Sequence, residues 1–455
     1  MRSYGLPFLF PFFVLSRGVA YVLGIRFSDQ NLHCQWHFLP KDLLQHDLLR
    51  SLWVLHSQPP LFNFFLGVGL KTFSNPHLFF HLSFLFISFS LLCILFRSLL
   101  EIGVPRRESH LLICLFGLNP SLFLYENYLF YPLWEAFFLA GALLGFLLYT
   151  KTRNQGPLFA ACAFVTALLF TRASFHPIWF FTLSLGFIFL FRISKRDWLL
   201  LGFPSIASVF WMLKNWLLVG SFGMSSALGM GALKMSLTNL PAADLRILVR
   251  DGKVSPIVYA PSFAPVIRYK PWLIETISTG IPALDSEGNA SCPNPNNRAY
   301  VAVSKQMQRA ARTLILEKPA AYFATLGDAA QIFLSSAASY EIPNIHLESL
   351  EKMEKLYTDI LYPGGKRWPV VFLFLAVVVV GFVLSWGKPE RIPLFFTSAT
   401  IFYLTLVTLC LEIGENQRVR FGISPLLFWA FFAVGKGIWE EWKIRKNTLG
   451  HPHNF

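Results

Sequence analysis

Hydrophobic positions along this chain fall in long unbroken blocks, with polar residues collected between them. Ten blocks stand out, at about 5–25, 77–97, 109–124, 131–150, 157–172, 176–192, 198–219, 368–387, 391–412 and 420–438. Each approaches or reaches the roughly 17 to 25 apolar residues that cross a hydrocarbon core. An eleventh, 60–73, carries Asn63 and ends near Lys71, and is short for a span. It is predicted to lie at the interface as a juxtamembrane helix. The pattern therefore predicts an all-α polytopic membrane protein with about ten transmembrane helices.

One large hydrophilic stretch, 221–367, interrupts the blocks. It opens Gly- and Ser-rich over 221–236 and continues through Pro261, Pro265, Pro271, Pro282, Pro293 and Pro295. Helical periodicity follows over 301–317 and 347–361, the second placing Leu350, Met353, Leu356 and Ile360 on one face. Three parts are expected: an N-terminal transmembrane module over 1–220 with an outer loop at 26–60, a mainly helical extracytoplasmic loop domain over 221–367, and C-terminal helices with a cytoplasmic tail over 368–455.

Composition agrees with a lipid solvent. Of 455 residues 54% are hydrophobic and only 14% charged, against about 25% charged in soluble domains. The net charge of +14 raises the question of nucleic acid. Its basic residues, however, sit in short clusters between apolar runs, which argues against nucleic acid and for an orientation signal. With 60–73 at the interface, Arg97, Arg106 and Arg107, then Lys151 and Arg153, then Arg192, Lys195 and Arg196, then Lys388 and Arg391, then Lys443, Arg445 and Lys446 share one side. That side is expected to be cytoplasmic, with both termini. Were 60–73 a full span, every later cluster would sit outside. Arg2 and the apolar run to Ile25 read as a first retained span, because the run is too long for a signal-peptide core. The six cysteines show neither a C-x-x-C nor zinc-site Cys/His spacing. No disulfide framework or metal knuckle is expected.

The unusual polar residues gather in the loops assigned to the outer side. Loop one holds Asp29, His33, Gln35, His37, Asp42, Asp47, Arg50, His56 and Gln58. Later turns hold Glu126, Asn127, Tyr128, Tyr131 and Glu135, then Arg172 and His176, then Lys214, and finally Glu415, Asn416, Gln417, Arg418 and Arg420. Ionisable groups at a bilayer are costly and usually mark a pathway or a site. A carboxylate is a general base for an acceptor hydroxyl, and Asp29, just beyond the first span, is best placed for it. Arg172, Lys214, Arg418 and Arg420 are suited to hold a phosphate and stabilise charge as it leaves. Trp36, Tyr128 and Tyr131 offer platforms for a sugar or prenyl group. Plainer roles compete: acids in a wet loop are usually solvated, Arg418 and Arg420 suit snorkelling anchors, and Glu126 and Glu135 suit helix-to-helix bonds. Asn289-Ala290-Ser291 fits a glycosylation sequon. Gly229-Met230-Gly231 lacks the context of a dinucleotide or phosphate loop.

An acid soon after span one, followed by His56-Ser57-Gln58-Pro59-Pro60-Leu61-Phe62-Asn63, resembles the GT-C superfamily of integral-membrane glycosyltransferases. Within it the family-39-like or Rgt-like bacterial group is most similar, with relatives among the protein O-mannosyltransferases and the aminoarabinose transferase of lipid A. Asn119-Pro120, Glu126-Asn127-Tyr128 and Glu135 resemble the second outer loop, and Glu415 through Phe421 with Pro425 resembles a late Glu-x-x-Arg-x-Arg turn. The loop domain is not covered. The resemblance implies an inverting transfer from a polyprenyl-phosphate-sugar donor to a glycan, lipid or protein acceptor at the outer face of a bacterial inner (plasma) membrane. Asp29 would be the catalytic base; His56, Gln58, Glu126, Tyr128, Arg172, His176, Lys214, Glu415, Arg418 and Arg420 would bind substrate. No cofactor is implied. Asp29 stands between Ser28 and Gln30, where many members carry two adjacent acids, so a divalent metal has no support. The rival classes are a lipid or glycan transporter or flippase, which would place polar residues at broken midplane helices, and a non-catalytic envelope-assembly protein.

Overall fold

The computed structural model describes residues 6–273, 278–288, 292–337, 351–352, 355–356, 359, 368–386 and 388–449. The described residues are all helix and loop, without a β-strand; two isolated bridges, Ser28 with Tyr128 and Gly288 with Pro293, are the only extended pairings among them. The sequon at 289–291 and most of the helix expected at 347–361 lie outside the described residues.

The N-terminal module contains α1 (Leu6–Val22), the short α2 (Lys41–His46) and α3 (Leu48–Trp53), α4 (Leu61–Thr72), α5 (Pro76–Glu101), α6 (Arg106–Gly117), α7 (Pro120–Glu126), α8 (Pro132–Thr152), α9 (Gln155–Leu169), α10 (Pro177–Leu190) and α11 (Trp198–Val219). The insertion carries α12 (Leu228–Leu237), α13 (Ala242–Arg250), α14 (Pro282–Asp285), α15 (Ala299–Glu317) and α16 (Pro319–Leu334), and the chain ends in α17 (Trp368–Ser385), α18 (Ile392–Leu411) and α19 (Asn416–Leu449). Among the described residues four helices, α5, α8, α18 and the Asn416–Trp439 part of α19, are long and apolar enough to cross a membrane. This is a multi-pass membrane architecture with fewer long spans than the ten apolar blocks. Shorter apolar helices occupy several remaining blocks, including Pro7–Val22, Gln155–Leu169 and Pro177–Leu190.

Local chemistry explains the boundaries. The block at 109–124 splits into α6 and α7 because Pro120 cannot continue a helix through its missing N–H, while the Asn119 side chain accepts from the Ser121 N–H at 2.9 Å and starts a new one. Segment 60–73 becomes α4, only about 18 Å long at 1.5 Å per residue, and buries Phe62, Asn63, Leu66 and Leu70. Asn75 caps α5 and Asn154 caps α9 in the same way as Asn119. Gly220 ends α11 in the left-handed region at φ 68°, which glycine adopts at no steric cost.

α8 is the central helix, packed against α5, α9 and α19. A second apolar cluster, with Met230, Leu233, Leu248, Ile257, Tyr300 and Met307, forms the core of the insertion, and Trp36 from loop one packs onto it. The basic helix ends share a face: Lys151 at the end of α8 donates to Glu101 at the end of α5 at 2.6 Å, and Lys436 of α19 donates to the Ile102 carbonyl. Tyr149 and Gln155 meet on Asp197 at 2.8 and 2.9 Å there. The opposite ends of these helices, at Pro132, Leu169, Val219, Leu411 and Asn416, surround a cavity beneath the insertion.

Candidate functional site

The cavity measures about 830 Å³ and draws its lining from every part of the chain. Loop one contributes Gln35, Trp36, His37 and Gln58; the start of α8 contributes Tyr131; the α9–α10 turn contributes Arg172 and His176. The insertion adds Lys234, Phe263, Ser304 and Lys305, and the α18–α19 turn adds Glu412, Glu415 and Arg418.

An ion network forms one wall. Both oxygens of Glu135 accept from Arg172 Nη1, at 3.0 and 3.1 Å, and Arg172 Nη2 reaches Glu412 at 3.2 Å. Arg418 Nη2 reaches Glu412 at 3.3 Å and Glu415 at 2.6 Å. Arg172, Arg418 and Glu135 are buried, whereas Glu412 and Glu415 are partly exposed toward the cavity. The ring of Tyr131 lies beneath both guanidinium groups, 5.3 Å from Arg172 and 5.7 Å from Arg418, and Phe130 lies 4.6 Å from Arg418, within cation–π range.

Two further cations bring no carboxylate with them. Lys234 donates to the Ile413 carbonyl at 2.8 Å and Lys305 to the Gly220 carbonyl at 2.7 Å, and neither makes an ion pair with a described residue. The lining sets Arg172, Arg418, Lys234 and Lys305 against Glu412 and Glu415, with Glu135 buried behind Arg172, so the cavity wall is net cationic and suited to an anionic group.

His37 supplies the neutral polar group. Burial, followed by the Arg418 charge, lowers its pKa to about 3, while a hydrogen bond with Gln58 acts the other way. Its Nδ1 has no hydrogen-bond partner among the described residues, nor has the indole N–H of Trp36. Buried polar atoms are normally satisfied, and both of these atoms are shielded from the cavity space as well as unpartnered.

Of the residues singled out from the sequence, Gln35, Trp36, His37, Gln58, Tyr131, Arg172, His176, Glu415 and Arg418 line this cavity. The others lie elsewhere. Asp29 is outside the lining, with Oδ2 3.2 Å from His77 Nδ1 at the start of α5. Ser28 beside it is held by the Asn127 carbonyl at 2.8 Å and the Leu129 N–H at 3.0 Å. Tyr128 is buried and donates to Asn31 at 3.0 Å. His56 has both ring nitrogens engaged, by Ser226 at 2.8 Å and the Asn296 carbonyl at 2.9 Å, and ties loop one to the insertion. Glu126 is fully buried against Arg17 of α1 at 2.7 Å and accepts from Ser88 at 2.5 Å. Lys214 donates to the Leu55 carbonyl at 2.7 Å, and Arg420 donates to Leu334 and Ser335, capping the end of α16.

The sequence marks Glu412 only as the start of the last outer turn, and leaves Lys234 and Lys305 unmarked. Glu412 closes an apolar block and passes for its boundary, while the two lysines lie on helices of an insertion without a motif. Among the described residues no group of three or more His, Cys, Asp or Glu has metal-site geometry. No protein-family model, curated protein or solved structure matches this chain.

Proposed function

We propose that this protein is an inverting glycosyltransferase of the GT-C type that moves a sugar from a polyprenyl-phosphate donor to an acceptor hydroxyl at the extracytoplasmic face of a bacterial inner membrane. The observation that carries the reading is the cavity with its buried Arg172 and Arg418, its two lysines without acid partners, and carboxylates within the same walls. On this reading α1, α5, the broken pair α6–α7, α8 to α11 and α17 to α19 make ten crossings. The short ones are accommodated by local thinning. The face bearing Lys151 and Lys436 is cytoplasmic, as are both termini, and the cavity opens on the other side.

The donor phosphate sits against Arg172, Arg418, Lys234 and Lys305. Glu412 and Glu135 hold the guanidinium groups in place before substrate arrives, so little reorganisation is needed as charge develops. Glu415 is the base on this reading rather than Asp29, because its carboxylate lines the cavity and that of Asp29 does not. The acceptor oxygen attacks C1 of the sugar from the side opposite the phosphate. The new C1–O bond forms as the C1–O bond to phosphate breaks, polyprenyl phosphate leaves with the electron pair, and the acceptor proton passes to Glu415. Holding donor and acceptor together accounts for much of the rate. His37, Trp36 and Tyr131 contact the sugar, and the isoprenoid chain stays in lipid.

In membranes supplied with polyprenyl-phosphate-linked sugar, Glu415→Gln is expected to lower transfer by at least about 100-fold, in the range of general-base loss, and Asp29→Asn to leave most of it. Arg418→Ala is expected to raise the apparent KM for the lipid donor about tenfold or more, the loss of a charge-assisted bond. Full transfer by both Glu415→Gln and Arg418→Ala would overturn the reading. Loss in Asp29→Asn with Glu415→Gln active would return the base to loop one.

A further inference from the structure

Loop one and the insertion meet at two cysteines from distant parts of the sequence. Cys34 follows the helical turn Gln30–Leu32 and is exposed; Cys292 follows α14 and is half-buried. The Cys292 thiol donates to the His33 carbonyl at 3.2 Å and hydrogen-bonds with the Cys34 side chain. Both positions are anchored by their neighbours. On the loop-one side, Asn31 donates to the Leu129 carbonyl at 3.2 Å and accepts from Tyr128. On the insertion side, Gly288 pairs with Pro293, Asn294 donates to the Ala283 and Ser286 carbonyls at 3.0 Å, and Asn296 accepts from the His56 N–H at 2.8 Å. The other cysteines, Cys93, Cys114, Cys162 and Cys410, belong to the apolar helices α5, α6, α9 and α18.

We propose that Cys34 and Cys292 are joined by a disulfide that staples loop one to the insertion beside the cavity. The proposal rests on the orientation given above, which places this face in an oxidising compartment. The oxidant is a thiol–disulfide oxidoreductase. The exposed Cys34 thiolate attacks the oxidant's disulfide and releases one of its thiolates. The Cys292 thiolate then attacks Cys34 Sγ, closing the Cys34–Cys292 bond and releasing the second. Two S–H protons go to solvent and two electrons remain in the reduced oxidoreductase. Burial raises the Cys292 pKa, as does the neighbouring Cys34, which favours Cys34 as the first nucleophile. The staple bears on the site because Gln35, Trp36 and His37 follow Cys34 directly and line the cavity.

The test is peptide mass analysis of the full-length wild-type protein, alkylated with N-ethylmaleimide in intact cells before extraction. The expected result is one linked species containing Cys34 and Cys292, two hydrogens lighter than the paired thiols and separated by dithiothreitol. Recovery of both as N-ethylmaleimide adducts overturns the proposal. A second measurement separates this failure from failure of the orientation: in Cys292→Ser, a membrane-impermeant maleimide applied to spheroplasts modifies Cys34 only if this face is external. External labelling with both wild-type thiols free overturns the staple and leaves the orientation standing. A linked species without external labelling upholds the staple and overturns the orientation.

Discussion

Arg172 and Glu135 form a buried two-oxygen ion pair at the head of the central helix, Nη1 lying 3.0 and 3.1 Å from the carboxylate oxygens. Glu135 occupies the first turn of α8, where the helix dipole also favours an acid. Removing one partner of a buried pair costs up to about 3–5 kcal/mol, an upper bound here because Arg172 keeps Glu412 at 3.2 Å. Glu135→Ala is therefore expected to lower the unfolding temperature in detergent well below that of the Glu135→Ala, Arg172→Met double variant. Additive losses would show that the two side chains are not coupled.

The buried histidines set a direction for pH dependence. Burial lowers the pKa of His37 to about 3 and of His56 to about 4, against about 6.5 in an unfolded chain. Because the folded values are depressed, the unfolded state binds more protons between these limits. The stability these groups contribute is fully present above about pH 6.5 and is lost as pH falls toward the folded values. Unfolding followed from pH 8 to pH 4 should show stability falling only below about 6.5, at up to roughly 1.4 kcal/mol per pH unit for each histidine. His37→Asn should flatten that slope; an unchanged slope would remove His37 from the account.

Gly229 sits where α12 crosses α15, and a Cβ there would come within 1.8 Å of the Ser304 carbonyl oxygen. Backbone cannot yield as a flexible side chain can. Gly229→Ala is expected to force α12 off α15 and disturb the wall bearing Lys234, Ser304 and Lys305. Gly327→Ala, with nothing within 4 Å of the added carbon, is the control that should leave limited proteolysis of the insertion unchanged. Equal cleavage of both variants would contradict the close approach.

The apolar blocks were legible because lipid leaves a one-dimensional mark on sequence: the block at 131–150 is helix Pro132–Thr152. The break at Asn119-Pro120 was not, since its neighbours are as apolar as any span. The last polar turn proved to be helix from Asn416 onward, so Arg418 and Arg420 point to different sides. Arg418 enters the cavity and Arg420 caps α16. The meeting of Arg172 with Glu135 and Glu412 depends on how three helices pack, which no spacing encodes. Distance from span one marks Asp29 in the sequence, whereas the pairing of Ser28 with Tyr128 sets it beside His77.

In the proposed function the cavity around Arg172, Glu415 and Arg418 transfers a lipid-linked sugar to an envelope acceptor. The most direct measurement is mass analysis of envelope glycans and glycolipids from a strain lacking this gene, complemented with the wild-type chain or with Glu415→Gln. The deletion strain is expected to show one acceptor lighter by a single sugar residue, restored by the wild type and not by Glu415→Gln. Identical masses in all three strains would contradict it.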